Sequence, residues 1–330
     1  MAERDEPRTA GRPDPELELL RLAGPRPAVP GGREARVREA VRAHWRGTVD
    51  GRRRRRRVWI AATLAAAALV AVGVLLPHLR HAPPLPVGIV EVVAGQALVD
   101  TGRGSVGAAA GLELVARAIV DTGEGGRVAL RLGAASVRLD ESTRVVVVSG
   151  TRIALEQGGV YIDADGPSHR PMLTVATAIA DVVEVGTQFE VRMVGERVRV
   201  RVREGAAEVR RGGPLRAVSA GEEVSLGRDG RLRVGRIASD DPAWNWVLAV
   251  APPFRLEGST AASFLRWAAR ESGHTLRFAD REVAAAAESI VLHGDATGVP
   301  PDQAPAAILP TCGLVHRLED RTLVVGRPAN

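Results

Sequence analysis

Residues 58–76, VWIAATLAAAALVAVGVLL, contain no charged side chain, and six consecutive arginines, Arg52, Arg53, Arg54, Arg55, Arg56 and Arg57, stand directly in front of them. At about 1.5 Å of rise per residue such a run makes a helix of roughly 29 Å, close to the hydrocarbon thickness of a bilayer. Its seven alanines make it less greasy than a leucine-rich span, so a buried helix of a soluble domain is the competing reading. A cleavable secretion signal fits poorly, because 57 residues precede the apolar part. Read as a single transmembrane helix over 58–77, the segment gives the arginines a role. Positive residues beside a span stay on the cytoplasmic side and meet anionic headgroups there. On the far flank come only Arg80 and a stiff HAPPLP linker within 78–86. The expected topology places residues 1–57 in the cytoplasm and residues 78–330 outside.

The charge distribution agrees. The chain has 330 residues, 45 arginines, no lysine and a net charge of +6. Residues 1–57 hold 16 arginines against nine carboxylates, a net of +7, which leaves −1 for residues 58–330. A nucleic-acid-binding fold needs a basic face of its own, so no nucleic-acid partner is expected. The absence of lysine reads as coding bias, since no chemistry excludes it from every surface. The one cysteine, Cys312, rules out a disulfide within the chain. Cys312 with His316, or His78 with His81, is too few ligands for zinc, and His44 has no companion. No metal and no cofactor are expected.

The segment before the arginines has helix punctuation. In DPELELLRLAG, Asp14 can cap, Pro15 suits the first turn and Gly24 can close the end, with Leu17, Leu20 and Leu19 making a short apolar face. Arg33 to Asp50 places Val37, Val41, Trp45 and Val49 four apart, on one helix face among arginines. Two short helices bury too little apolar surface to fold securely alone, so the stripe implies a partner. The competing reading is a tail whose second helix lies on the membrane.

From Val87 to about Arg236 the hydrophobic period is two. Val128, Leu130 and Leu132 share one side of RVALRL; Phe189, Val191 and Met193 share one side of FEVRM. RVRVRVREG alternates Val198, Val200 and Val202 with Arg199, Arg201 and Arg203. These are expected to be half-buried strands, apolar in and arginine out, with RDGR at Arg228 to Arg231 as a hairpin turn. The expected fold class is mainly β: stacked short strands over 87–240, solenoid-like or a twisted sandwich. GRGSVG, Gly102 to Gly107, matches a dinucleotide-binding pattern with Asp121 beyond it, but Gly111 interrupts the helix that should follow. Strand–turn–strand fits better.

After Ala238 the texture changes. DDPAWNW reads as a packed, Trp-containing hinge over 241–252. Beyond it, FRLEG is expected as a strand and STAASFLRWAARESG as a helix capped by Ser259 and stopped by Gly273, with Phe264, Leu265 and Ala268 on one face. TLRFA follows as a strand, REVAAAAE as a helix and SIVLHGDA as a strand. A helix shortened by Pro310 and a hairpin of LVHRLE and RTLVVG complete the chain. That order, β-α-β-α-β-α-β-β, implies a small C-terminal α+β domain of βαβ type over 253–330.

At these residues the chain resembles the FecR family of inner-membrane regulators. TVATAIADVVEVGTQFEVRMVGERVRVRVREGAAEV, Thr174 to Val209, is similar to the family's Val-x-Gly-Thr-x-Phe-x-Val core and its Val-x-Val-x-x-Gly-x-x-x-Val close. AVSAGEEVSL, Ala217 to Leu226, resembles the Ala-Gly-Glu turn that follows. The order of elements after 253 resembles the short N-terminal fold of secretins and TonB-dependent receptors. The resemblance implies a non-enzymatic relay. A cytoplasmic segment would hold an extracytoplasmic-function sigma factor through Leu17, Leu20, Val37, Val41 and Trp45. A periplasmic region would sense an envelope partner, commonly the signalling domain of a TonB-dependent outer-membrane receptor. The alternative is an envelope adaptor or scaffold that binds another envelope protein or a glycan and has no transcriptional role.

Some members of that family cleave themselves at Gly-Thr. Here the Thr187 hydroxyl would attack the Gly186 carbonyl, giving an ester that water opens. Threonine is a weak nucleophile without activation, and no base is legible nearby. The favoured reading of Gly186-Thr187 is a bulge or tight bend; an intact band unchanged in Thr187→Ala excludes self-cleavage. A hydrolase reading lacks support. The histidines are scattered, and Glu204, Glu222 and Glu223 read as strand-edge and turn residues rather than a paired acid and base.

Overall fold

The computed structural model describes residues 15–22, 24, 32, 33, 35–42, 59, 61–72, 85–102, 104–164 and 173–328. The chain divides into two units, Met1–Ala82 and Pro83–Asn330.

In the first unit, α1 spans Pro15–Leu22. Gly24 follows with φ +67°, a left-handed position suited to ending a helix. Residues 35–42 and 61–72 are also helical. Among the described residues no helix is long and apolar enough to cross a membrane. The span expected over 58–77 lies partly outside them.

The second unit begins with a run of strands rich in β-branched residues. They are β1 (Pro86–Ala94), β2 (Ala97–Asp100), β3 (Ser105–Gly107), β4 (Glu113–Val115), β5 (Ala118–Thr122) and β6 (Arg127–Leu132). Next come β7 (Ala135–Leu139), β8 (Arg144–Ser149), β9 (Arg152–Gln157), β10 (Gly159–Ala164) and β11 (Thr174–Ala176). The run ends with β12 (Asp181–Val194), β13 (Arg197–Arg210), β14 (Pro214–Ser219), β15 (Glu222–Gly227) and β16 (Leu232–Arg236). All belong to one sheet, whose path runs β3-β2-β5-β8-β9-β11-β12-β10-β7-β6-β1-β4, with β13 to β16 added through β12. The sheet curves as a half-barrel around a cluster of buried Val, Leu and Ile that draws on strands along the path from β2 to β4.

Two features depart from the expected stack of short strands. Among the described residues of this sheet only β9 and β11 pair in parallel; the other pairings are antiparallel, whereas a solenoid repeats parallel coils. And β12 and β13 are 14 residues each, one long hairpin rather than several short strands. The rest follows the period of two. Val128, Leu130, Leu132, Phe189, Val191, Val198, Val200 and Val202 are buried, and Arg228–Arg231 link β15 to β16 as a hairpin. The last three residues of GRGSVG are β3, paired with β2, strand–turn–strand as expected, and among the described residues no helix follows it.

The remaining chain adds a 3₁₀ turn at Pro242–Trp244 and helices α2 (Asn245–Leu248), α3 (Ala261–Ser272), α4 (Arg281–Ser289) and α5 (Ala304–Ile308). Strands β17 (Thr275–Phe278), β18 (Val315–Glu319) and β19 (Thr322–Gly326) form a second sheet in the order β17-β19-β18. Pro310 lies in a short 3₁₀ turn, Leu309–Cys312, that ends the helical stretch. Phe264, Leu265 and Ala268 are buried. Three expectations are corrected. The cap of α3 is Thr260, which accepts from the Ser263 N–H, not Ser259. FRLEG and SIVLHGDA are not strands; Val291 makes only an isolated bridge, to Thr260 beyond FRLEG. The backbone bonds that join them, Gly258 N–H to Leu292 O (3.0 Å) and Leu292 N–H to Ser259 O (2.8 Å), tie two loops together. Leu256 and Leu292 are buried there as loop residues that cover the helices, which produces a strand-like hydrophobic signal without a ladder.

Candidate functional site

The long hairpin turns a corner at Gly186-Thr187. Before it, Asp181 to Val183 of β12 pair with β11; after it, Gln188 to Arg192 pair with β10 on the same edge. On its far side β13 makes the matching change, from β14 to β15. Between Val185–Ala206 and Gln188–Glu204 two residues of β12 oppose the single Gly205, which is a β-bulge. Gly186 has φ +66° and Gly205 φ +75°, both left-handed. A Cβ on Gly205 would collide with the Gly186 carbonyl oxygen. Thr187 is buried, and its hydroxyl donates to the Glu204 carbonyl across the hairpin. The buried Glu184 carboxylate accepts from the Gly186 N–H at 2.5 Å and from the Leu173 N–H at 3.2 Å. Among the described residues, the one carboxylate bonded to this peptide therefore holds an amide, while the hydroxyl faces a carbonyl, which takes no proton.

A second site lies on the outward face of the sheet. Arg138 on β7, Tyr161 on β10, Glu190 on β12, Arg201 on β13 and Glu223 on β15 are consecutive cross-strand neighbours. Such a row normally faces water. Here the chain after Ile237 roofs part of it. Trp244 is 1 % exposed and meets the Tyr161 ring edge-on, with centroids 5.9 Å apart. Arg203 lies over the Trp244 ring at 5.6 Å and Arg192 over Trp246 at 5.7 Å. The expectation of arginine out is therefore corrected at Arg203, and Arg138 too is buried.

Buried arginines need partners, and these come from the C-terminal helices. Arg138 donates to Glu271 Oε1 at 2.8 Å and to the Val247 carbonyl at 3.1 Å. Its Nη1 is also 2.8 Å from Glu271 Oε2, close enough for attraction though not aligned as a hydrogen bond. Arg203 donates to the Glu271 and Ser239 carbonyls at 2.8 and 2.6 Å. Arg270 pairs with Asp163 at 2.8 Å. Burial pulls the Arg138 pKa down, but Glu271 and its neighbours more than reverse this, so the guanidinium stays charged. Burial first, then the nearby Glu271 charge, pushes Asp163 above the usual carboxylate range. Burial likewise raises Tyr161, which stays a neutral phenol. Beside this network opens a cleft of about 420 Å³ between the sheet and α3.

Among the expected contact residues, Leu20, Val37 and Val41 are helical and exposed, the two valines at 60 and 61 %. Leu17 lies in α1 with its side chain outside the described residues; Trp45 and Arg52 to Arg57 lie outside them altogether. Glu222 caps a turn through the Ser219 N–H and pairs with Arg216, while Glu223 pairs with Arg201 at 2.5 Å. Both are structural ion pairs, and the exposed Glu204 carboxylate lies 3.6 Å from Arg270. Cys312 Sγ lies 3.7 Å from the Ile308 carbonyl, inside its own helical turn. Sequence reasoning missed Arg138, Glu271 and Asp163. The available signal was DDPAWNW, whose paired tryptophans need a polar face to cover.

The fold and this corner define a mainly antiparallel half-barrel module with a Gly-Thr bulge in one of its two longest strands. Residues 118–208 match the FecR protein family, so the chain carries a FecR domain, as the resemblance implied. Two crystal structures of a candidate anti-sigma factor from Parabacteroides distasonis ATCC 8503, at 2.50 and 1.65 Å resolution, are similar to it. Each is 17 % identical and covers 64 % of this chain and 99 % of its own, with a TM-score of 0.34. No curated protein matches the chain.

Proposed function

We propose that the chain is a single-pass regulator of an extracytoplasmic-function sigma factor in the inner membrane, with its N-terminus cytoplasmic and its FecR domain periplasmic. The observation that carries this reading is a FecR domain placed after an uncharged run that follows six arginines. The exposed apolar side chains of residues 61–72, among them Leu64, Leu69 and Val70, support it, since such a surface asks for lipid or protein around it. The exposed Val37 and Val41 support a docking stripe for the sigma factor, completed by Trp45, with Leu17 and Leu20 on the helix before it. The β17–β19 module serves as the receptor-facing part, in the manner of the short secretin and TonB-receptor domain. Its expected partner is the periplasmic signalling domain of a TonB-dependent receptor.

The test replaces Trp45 by Asp in the full chain and reads a sigma-dependent reporter together with the protein's abundance. A several-fold change in transcription at normal abundance is expected. Unchanged transcription at normal abundance would transfer the chain to the class of envelope adaptors.

A further inference from the structure

The cleft beside Arg138 has the composition of a ligand site. Its volume of about 420 Å³ falls in the range of small-molecule pockets. Five lining residues, Ser263, Arg266, Trp267, Arg270 and Glu271, come from one face of α3, and the opposite wall is the outward face of the FecR sheet. The lining holds four guanidinium groups, from Arg131, Arg138, Arg266 and Arg270, against the two carboxylates Asp163 and Glu271. The inner four groups neutralise one another: Arg138 pairs with Glu271 and Arg270 with Asp163, both at 2.8 Å. Arg131 and Arg266 pair with Glu91 and Glu288, and neither of those lines the cleft. Every cleft guanidinium is thus matched by a carboxylate, but the partners of Arg131 and Arg266 stand outside the lining, so these two guanidinium groups are the donors the cleft offers an anion.

Three wall atoms have no hydrogen-bond partner: Glu271 Oε2, which attraction holds 2.8 Å from Arg138 Nη1, and the donors Ser136 Oγ and Arg138 Nε. The two donors ask for an acceptor, although Ser136 is 6 % exposed and Arg138 is fully buried. Buried polar groups are costly to leave unpaired, and both of these residues border the same space. The third wall is aromatic: the Phe254 and Trp267 rings lie 5.4 Å apart with planes inclined by 36°. A flat ring finds dispersion and edge contacts there.

We propose that this cleft binds a small organic anion, a carboxylate or sulfonate carried on a flat ring. The acid group meets Arg131, Arg266 and the Ser136 hydroxyl, and the ring lies against Trp267 and Phe254. Because one wall belongs to the FecR sheet and the other to α3, an occupant fastens the two together and stabilises the pair by mass action.

The experiment titrates 2-naphthoate into the full chain in mild detergent, followed by calorimetry against a micelle blank. 2-Naphthylmethanol, with the same ring and no charge, and acetate, with the charge and no ring, are the comparators. The acid is expected to bind at least about ten-fold more tightly than either comparator, the size of effect a charge-assisted contact gives. The double variant Arg131→Gln/Arg266→Gln, which also gives up the partly exposed ion pairs to Glu91 and Glu288, is expected to lose that preference with only a small change in melting temperature. Trp267→Leu weakens acid and alcohol alike. Equal affinity for acid and alcohol, an undiminished preference in the double variant, or no binding at millimolar probe would each overturn the proposal.

Discussion

Arg138 shows how one buried charge ties distant parts of the chain together. It sits on β7, yet its hydrogen-bond partners are the Glu271 carboxylate and the Val247 carbonyl, more than a hundred residues on. Removing one member of a buried pair leaves the other uncompensated, which typically costs about 3–5 kcal/mol, while replacing both by apolar groups is often neutral. Glu271→Gln is therefore expected to lower the melting temperature of the full chain clearly. Arg138→Met/Glu271→Leu should recover most of the loss, and thermal denaturation of the two variants side by side checks the order. Asp163 in the same network carries the opposite sign of pH dependence from a typical paired carboxylate. Its folded pKa is raised, so its contribution to stability is fullest below the ordinary Asp pKa and is lost as pH rises through the folded value.

At the scale of elements, the β12–β13 hairpin depends on its bulge. Gly186→Ala would bring a Cβ into open space, so its cost is the left-handed backbone alone, about 1–2 kcal/mol. Gly205→Ala adds a collision with the Gly186 carbonyl to the same backbone strain, so it is expected to destabilise more than Gly186→Ala in the same melt. The corner itself was legible, because Gly-Thr in an otherwise β-branched run marks a break in the ladder. The strands were legible too, since Val198 to Arg203 alternate without interruption. What the alternation could not say is whether the outward side meets water. Arg199 and Arg203 look alike in sequence, yet only Arg203 is buried, because the chain after Ile237 returns over that end of the hairpin. FRLEG and SIVLHGDA misled for a related reason: burial of Leu256 and Leu292 imitates a strand when a loop passes over helices.

For the whole molecule, the proposed topology makes a sidedness prediction. Protease added to intact spheroplasts is expected to digest residues 87–330 and spare an epitope placed before Arg33. Protection of the β modules, or release of the protein from membranes by alkaline carbonate, would end that reading. The roof over the sheet has a consequence for biosynthesis. The half-barrel is made first, and the covering tryptophans and α3 emerge only after it. An oily surface left open during that interval would invite aggregation. A face of arginine, glutamate and tyrosine can wait in water without harm, and the late segment then closes over it by exchanging hydration for ring contacts and ion pairs. The guanidinium groups that look like ordinary surface charge are thus what lets the molecule be finished in two stages.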